Sequence, residues 1–184
     1  YIATFNETVT FKLKTVPKKG LITKVVPGPG AKVVKGYNAK SGKITVRFNT
    51  ASTMAALYKA LKITLVNGQK LKLNTIVIRV TINKPHGYNV FTGNVTASGT
   101  VQPSGIGGVL RVIAGWGQDA IVTPGSITAS PAPYNAVTGI WNLTLGPFDL
   151  DFMGATGKVA SNVNAYFTFR GKTHRDGDQV MVGP

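Results

Sequence analysis

The stretch LKITLVNGQKLKL, residues 61–73, alternates apolar and polar side chains on both sides of an Asn-Gly pair. This pattern predicts a β-hairpin, because a strand turns successive side chains to opposite faces and Asn-Gly favours a tight turn. A two-residue loop would set apolar residues opposite lysines. A three-residue loop, 66–68, separates the faces and fits a type I turn with Gly68 in a left-handed bulge position. In this register Leu61 pairs with Leu73, Ile63 with Leu71, Lys62 with Lys72 and Thr64 with Lys70.

The net charge of the 184-residue chain is +15, and all of the excess lies in its first half. Residues 1–84 contain 14 Lys and 2 Arg against Glu7 alone, whereas residues 85–184 contain five basic and five acidic residues. Such asymmetry indicates a polyanionic partner or a complementary neighbouring surface. The more ordinary alternative is a solvated lysine face that keeps a β protein soluble.

Composition excludes several classes of protein. The chain contains no Cys, which removes disulfides, thiolate nucleophiles and cysteine metal sites. No apolar run approaches the length of a membrane span. The first residue is Tyr1 rather than Met, as in an exported protein after processing or in an excised fragment. We expect a location outside the cell, on its surface or in a virion.

Period-two alternation continues along most of the chain. It predicts an all-β fold of antiparallel β-sandwiches, immunoglobulin-like or jelly-roll-like. Residues 52–62 differ, because Met54, Leu57 and Leu61 have helical spacing behind Ser52, a possible N-cap. We therefore predict one short helix at about 53–59, with its Met and Leu side chains in the core.

The segment NKPHGYN, residues 83–89, separates two halves of different composition. Pro85 and Gly87 interrupt the strand pattern, and the lysine-rich pattern ends there. We predict a lysine-rich sandwich domain over 1–84 and a neutral domain rich in Gly, Thr and Asn over 85–184. One sandwich over 1–184 is the alternative. No internal repeat is identified.

Signals of catalysis are weak. The chain has two histidines, His86 and His174, and no sequence motif of a serine hydrolase or zinc protease. Asp149 and Asp151 share one strand face, where a solvent-facing role or a contact with the lysine-rich half explains them. Asp176 and Asp178 flank Gly177 without the further ligands of a calcium loop. We predict no enzyme activity and no catalytic, metal or cofactor site.

Basic side chains are the candidate binding residues. Arg170, Lys172 and Arg175 form a C-terminal basic group close in sequence to Tyr166 and His174. Basic side chains beside an aromatic ring are typical of sites that bind anionic ligands. The residues that we predict to contact a polyanion or a neighbouring subunit are Lys12, Lys14, Lys62, Lys70, Lys72, Arg170, Lys172 and Arg175. Three sequons predict glycosylation if the chain is exported, at Asn6, Asn94 and Asn142.

Two functions fit these features. The first is a non-enzymatic structural subunit of an extracellular filament such as a pilus, a surface array or a virion capsid. It would associate with other copies through β-strand exchange and complementary charge. Residues 1–14 are the candidate exchanged strand, and the first edge strand of their own sheet is an equal alternative. The second is a module that binds nucleic acid or an acidic glycan through the lysine-rich face.

Overall fold

The structure is a computed structural model that describes residues 1–13, 21–83, 87–115, 126–148 and 157–183. These residues form antiparallel sheets, consistent with a β-sandwich, and the all-β prediction is confirmed. The chain divides into two compact units, Tyr1–Ile78 and Arg79–Pro184. The predicted boundary at Pro85 lies outside the described residues, and the two-domain organisation stays a prediction.

Unit 1 (Tyr1–Ile78) contains one antiparallel sheet of three strands and a second sheet in which β1 joins three antiparallel strands. One has the order β2-β5-β4 and the other β3-β6-β7, and β1 pairs with β7 in parallel. The strands are β1 (Ile2–Thr4), β2 (Thr8–Lys12), β3 (Ile22–Pro27), β4 (Ala31–Asn38), β5 (Lys43–Phe48), β6 (Lys59–Leu65) and β7 (Lys70–Ile82), which continues past the division.

The inner faces of the two sheets share one hydrophobic core. Val46 and Phe48 of β5 are buried in the same cluster as Leu61 and Ile63 of β6. Partly buried apolar residues of β3 and β4 pack against this cluster. Because side chains alternate along a strand, the opposite face of each sheet is left to polar residues. Unit 1 is thus a two-layer sandwich.

The hairpin of β6 and β7 has the predicted register. Leu61 pairs with Leu73, and Lys62 pairs with Lys72. The amide of Gly68 donates to the carbonyl of Leu65 at 3.0 Å, and Gly68 has a φ of 81°. The three-residue loop with a left-handed glycine is therefore confirmed.

The short helix predicted at 53–59 is wrong, because this segment forms a turn. Ser52 is buried and is not an N-cap. Its hydroxyl accepts the Val77 amide at 2.9 Å, and its own amide donates to the Val77 carbonyl at 2.9 Å. Met54 is 56% exposed rather than in the core. Ser52 thus pairs with β7, and the Ala56 amide donates to the Thr53 carbonyl at 3.1 Å within the turn, in place of helical hydrogen bonds.

The N-terminal residues alternate in sequence, yet they form two strands. The chain turns at Asn6, which has a φ of 64°, and the Glu7 amide donates to the Thr4 carbonyl at 3.0 Å. Strand β1 then pairs with β7, whereas β2 pairs with β5. The alternating residues 1–13 therefore contribute one strand to each of the two sheets of the sandwich.

Unit 2 (Arg79–Pro184) also contains two antiparallel sheets. Residues 79–82 of β7 pair with β9, which pairs with β12 and β8, and the second sheet has the order β11-β10-β13-β14. The strands are β8 (Gly87–Asn89), β9 (Asn94–Gln102), β10 (Val109–Gly115), β11 (Ile127–Ala129), β12 (Ile140–Leu145), β13 (Val159–Phe169) and β14 (Lys172–Val182). Among the residues of unit 2 that the structure describes, Trp141 and Phe167 are the largest fully buried side chains.

Three loops share the sequence Tyr-Asn-x-x-Ser/Thr-Gly. They span residues 37–42, 88–93 and 134–139. In each loop the Asn side chain accepts the backbone N–H groups two and three residues on, at 2.9 to 3.2 Å. The Asn carbonyl accepts the Gly amide, and the glycines have φ values of 66°, 67° and 74°. The alternation of apolar and polar residues in the strands does not identify this repeat, because it lies in the loops.

Candidate polyanion-binding surfaces

The outer face of β3-β6-β7, here called face 1, carries four exposed lysines. The strand registers form two rows across it, Val26-Lys62-Lys72 and Lys24-Thr64-Lys70. Neighbouring strands lie about 4.8 Å apart, and alternate residues along a strand about 6.8 Å apart, so the ammonium groups share one small area. Face 1 is defined by Lys24, Val26, Lys62, Thr64, Lys70 and Lys72, all of which line a shallow groove of about 490 Å³.

Unit 1 has a single acidic residue to set against these charges. Glu7 is the sole acidic residue among residues 1–84, and it lies in the turn between β1 and β2. Its Oε2 accepts hydrogen bonds from the amide and hydroxyl of Thr4, at 2.7 and 3.3 Å. Face 1 is therefore a cationic surface that the unit does not neutralise from within.

The outer face of β2-β5-β4, here called face 2, repeats the arrangement. Lys12 is directly opposite Lys43, and Lys32 is directly opposite Arg47. The Thr10 and Thr45 hydroxyls lie 3.0 Å apart between these pairs. Face 2 is defined by Thr10, Lys12, Lys32, Lys35, Lys43, Thr45 and Arg47, and its basic side chains are all exposed.

The structure brings some of the predicted contact residues together and separates others. Lys62, Lys70 and Lys72 lie on face 1, whereas Lys12 lies on face 2, across the hydrophobic core. Lys14 lies outside the described residues. Sequence reasoning did not assign Lys24 of face 1 to a site, and on face 2 it assigned Lys12 but none of the other basic residues. Their alternation with apolar residues marks them as outward-facing, but only long-range strand pairing shows which of them are neighbours.

No protein-family model matches the chain, and no curated protein is found to be similar to it.

The predicted C-terminal basic group does not form one surface. Arg175 pairs with Tyr166 across β13 and β14, and its Nη2 donates to Asn164 Oδ1 at 2.9 Å. Lys172 is three residues from Arg175 along β14 and so faces the other way. Arg170 lies at the hairpin turn, with its guanidinium 5.1 Å from the centre of the Phe169 ring.

Tyr166 is buried between two guanidinium groups. The Cζ atoms of Arg111 and Arg175 lie 5.0 and 5.9 Å from the centre of its ring. Only 8% of Tyr166 is exposed, so its ring is not available for a ligand to stack on. The attraction between a guanidinium group and the face of an aromatic ring stabilises the pairing of strands β10, β13 and β14.

His174 and Asp176 belong to the packing of β14. Asp176 Oδ2 accepts the Ile82 amide at 2.9 Å, which ties β14 to the end of β7. Burial lowers the pKa of His174, Asp176 opposes that shift, and the Arg79 charge adds to it. The net effect lowers the pKa and favours the neutral imidazole within unit 2.

Other candidate chemistry finds no site in the part of the chain that the structure describes. No cluster of three or more His, Asp or Glu side chains is placed there to hold a metal ion. None of its segments is a helix with the length and apolar character needed to cross a membrane. His86, Asp149 and Asp151 lie outside the described residues.

The three sequon asparagines occupy different settings. Asn6 is exposed in the turn between β1 and β2, and Asn142 is exposed in β12 opposite Ser98. Asn94 is partly buried at the start of β9. Glycosylation at these positions stays a prediction.

Proposed function

We propose that the protein is a non-enzymatic binding module that contacts a polyanion through the lysine-rich faces of unit 1. The observation that carries this proposal is face 1, where four exposed lysines share one sheet surface without a carboxylate of unit 1. A solubility surface would serve equally well with mixed charges. A surface of one sign attracts a partner of the opposite sign.

Binding of this kind has a clear physical signature. A polyanion carries condensed counterions, and each contact with a lysine releases some of them. The affinity therefore falls steeply as salt rises, with a slope that reports the number of contacts.

The test measures binding of the full chain to heparin at several salt concentrations. The triple variant Lys62→Gln, Lys70→Gln, Lys72→Gln should weaken binding at low salt and flatten the salt dependence. A matched control, Lys158→Gln, Arg170→Gln, Lys172→Gln, removes the same charge from unit 2 and should weaken binding less. Equal losses from the two triple variants would show that net charge, rather than face 1, governs the binding.

Self-association into a filament, surface array or shell is a second proposal, and strand β1 favours it. This strand is three residues long, and its Ala3 is fully buried in the core of unit 1. It is held by the Ile76 amide on the Tyr1 carbonyl at 2.9 Å and the Phe5 amide on the Ile78 carbonyl at 2.8 Å. The same segment of another copy can make the same contacts, as in strand exchange.

Light scattering and negative-stain microscopy of the unmodified chain test this second proposal. Polymers that grow with concentration, and that disappear when residues 1–4 are deleted, would support it. A chain that stays monomeric at high concentration would contradict it. A location outside the cell, on its surface or in a virion is proposed along with it.

A further inference from the structure

The two cationic faces of unit 1 lie on opposite sides of one hydrophobic core. We propose that unit 1 is bivalent: faces 1 and 2 each bind a separate acidic polysaccharide chain, so that the unit bridges two chains. This inference rests on the proposed polyanion binding and extends it, because it specifies the number of sites and the class of partner.

The core shows that the faces point away from each other. Ile44 and Val46 of β5 and Ile63 of β6 are buried in the same cluster. Lys43 and Lys62 are their neighbours in sequence, so they project from the outer sides of the two sheets. Packed sheets lie about 10 Å apart, and the lysine side chains extend outward from both. One straight polymer segment therefore contacts one face only.

The two faces are alike in construction. Each has a directly opposed lysine pair, Lys62 with Lys72 on face 1 and Lys12 with Lys43 on face 2. Each pair is extended by further exposed cations on the neighbouring strands. Like charges directly opposed are unfavourable in the free protein, and a bound polyanion removes that repulsion. Both faces therefore offer the same chemistry to an anionic ligand.

The side chains on the faces favour a polysaccharide over a nucleic acid. The residues that define the two faces include no aromatic side chain and only one arginine, Arg47. Single-stranded nucleic acids are held largely by stacking of bases on aromatic rings, and base edges are read mainly by arginine and amide side chains. Lysine and threonine instead offer charge and hydroxyl groups, which suit sulfate or carboxylate groups on a sugar chain.

The experiment measures how many heparin octasaccharides one full-length chain binds, by native mass spectrometry and titration calorimetry. The unmodified chain should bind two. The face 1 variant Lys62→Gln, Lys70→Gln, Lys72→Gln should bind one, and so should the face 2 variant Lys12→Gln, Lys43→Gln, Arg47→Gln. The unit 2 control Lys158→Gln, Arg170→Gln, Lys172→Gln should still bind two.

A second measurement uses the unmodified chain, so that it does not depend on any variant folding. Amine labelling with and without the octasaccharide should show protection of Lys62 and Lys72 and also of Lys12 and Lys43. With long heparin, the unmodified chain should form large scattering complexes, because each unit 1 then links two polymer chains.

Several outcomes would overturn the inference. One octasaccharide per unmodified chain, or protection of a single face, would show that unit 1 has one site and would leave the proposed polyanion binding intact. Tighter binding of single-stranded DNA of equal charge would overturn the assignment to a polysaccharide. Absence of binding to every polyanion would overturn the proposed function itself.

Discussion

Lys62 and Lys72 stand directly opposite each other on face 1, and their mutual repulsion weakens the free protein. We expect Lys62→Thr to raise the free energy of unfolding by about 0.2–1 kcal/mol at low salt, the usual range for a cross-strand pair. Thermal unfolding at two salt concentrations checks this, because salt screens exposed charges and should remove the gain. A gain in the free energy of unfolding that persists at high salt would show that the higher strand propensity of Thr, rather than the removal of charge repulsion, stabilises the variant.

His174 sets a pH dependence for unit 2. Burial lowers its pKa, so the unfolded chain binds its proton more readily than the folded chain does. Stability from this residue is complete above its ordinary pKa of about 6.5 and is lost as the pH falls from that value to the lower pKa of the folded chain. Unfolding midpoints between pH 8 and pH 5 should therefore fall in the unmodified chain. In His174→Gln this part of the decline should be absent, and an unchanged pH profile would contradict the assignment.

At the scale of single elements, the Tyr-Asn-x-x-Ser/Thr-Gly loops allow a ranked comparison. A Cβ at Gly139 would lie 2.2 Å from the Val101 carbonyl oxygen, whereas a Cβ at Gly93 would lie 3.2 Å from the Pro147 side chain. Gly93→Ala should cost about 1–2 kcal/mol for its left-handed backbone. Gly139→Ala should cost more, because the backbone of β9 must also move. Urea unfolding of both variants checks the order, and equal losses would show that backbone conformation alone matters.

The register of the β6–β7 hairpin could be predicted from the sequence because everything that determines it is local. Asn67 and Gly68 set the turn, and only one loop length keeps Leu61 and Leu73 on the face opposite Lys62. The helix predicted at 53–59 was wrong because the structure of this segment depends on a contact that is distant in sequence. Met54 and Leu57 have helical spacing, but Ser52 pairs with Val77, which lies 25 residues away. The spacing of apolar residues within the segment carries no information about Val77, whose hydrogen bonds to Ser52 compete with helix formation.

The candidate site was predictable only in part, for the same physical reason. The pair of Lys62 and Lys72 follows from the hairpin, whereas Lys24 joins them through pairing of β3 with β6 across a register shift. The opposition of Lys12 and Lys43 depends on pairing between β2 and β5, which are separated in the sequence by β3 and β4. Sequence alternation showed that these lysines face outward but not that they form two separate surfaces.

At the scale of the whole molecule, the net charge of +15 opposes folding of the free chain and favours any complex that neutralises it. A variant with Gln at Lys12, Lys43, Arg47, Lys62, Lys70 and Lys72 should therefore unfold at a higher temperature than the unmodified chain in low salt. Heparin should reverse this order. A ligand at 100 times its dissociation constant stabilises the folded state by about 2.7 kcal/mol per site, and the variant lacks most of both sites.

The comparison of the two proteins with and without heparin separates a surface for solubility from a surface for binding. If the lysines serve solubility alone, the variant should precipitate more readily and neither protein should gain stability from heparin. If they bind a polyanion, the unmodified chain should gain several degrees in its unfolding midpoint, and the gain should disappear as salt rises because the counterion release that drives binding is lost. Stabilisation of both proteins to the same extent would place the polyanion site outside faces 1 and 2.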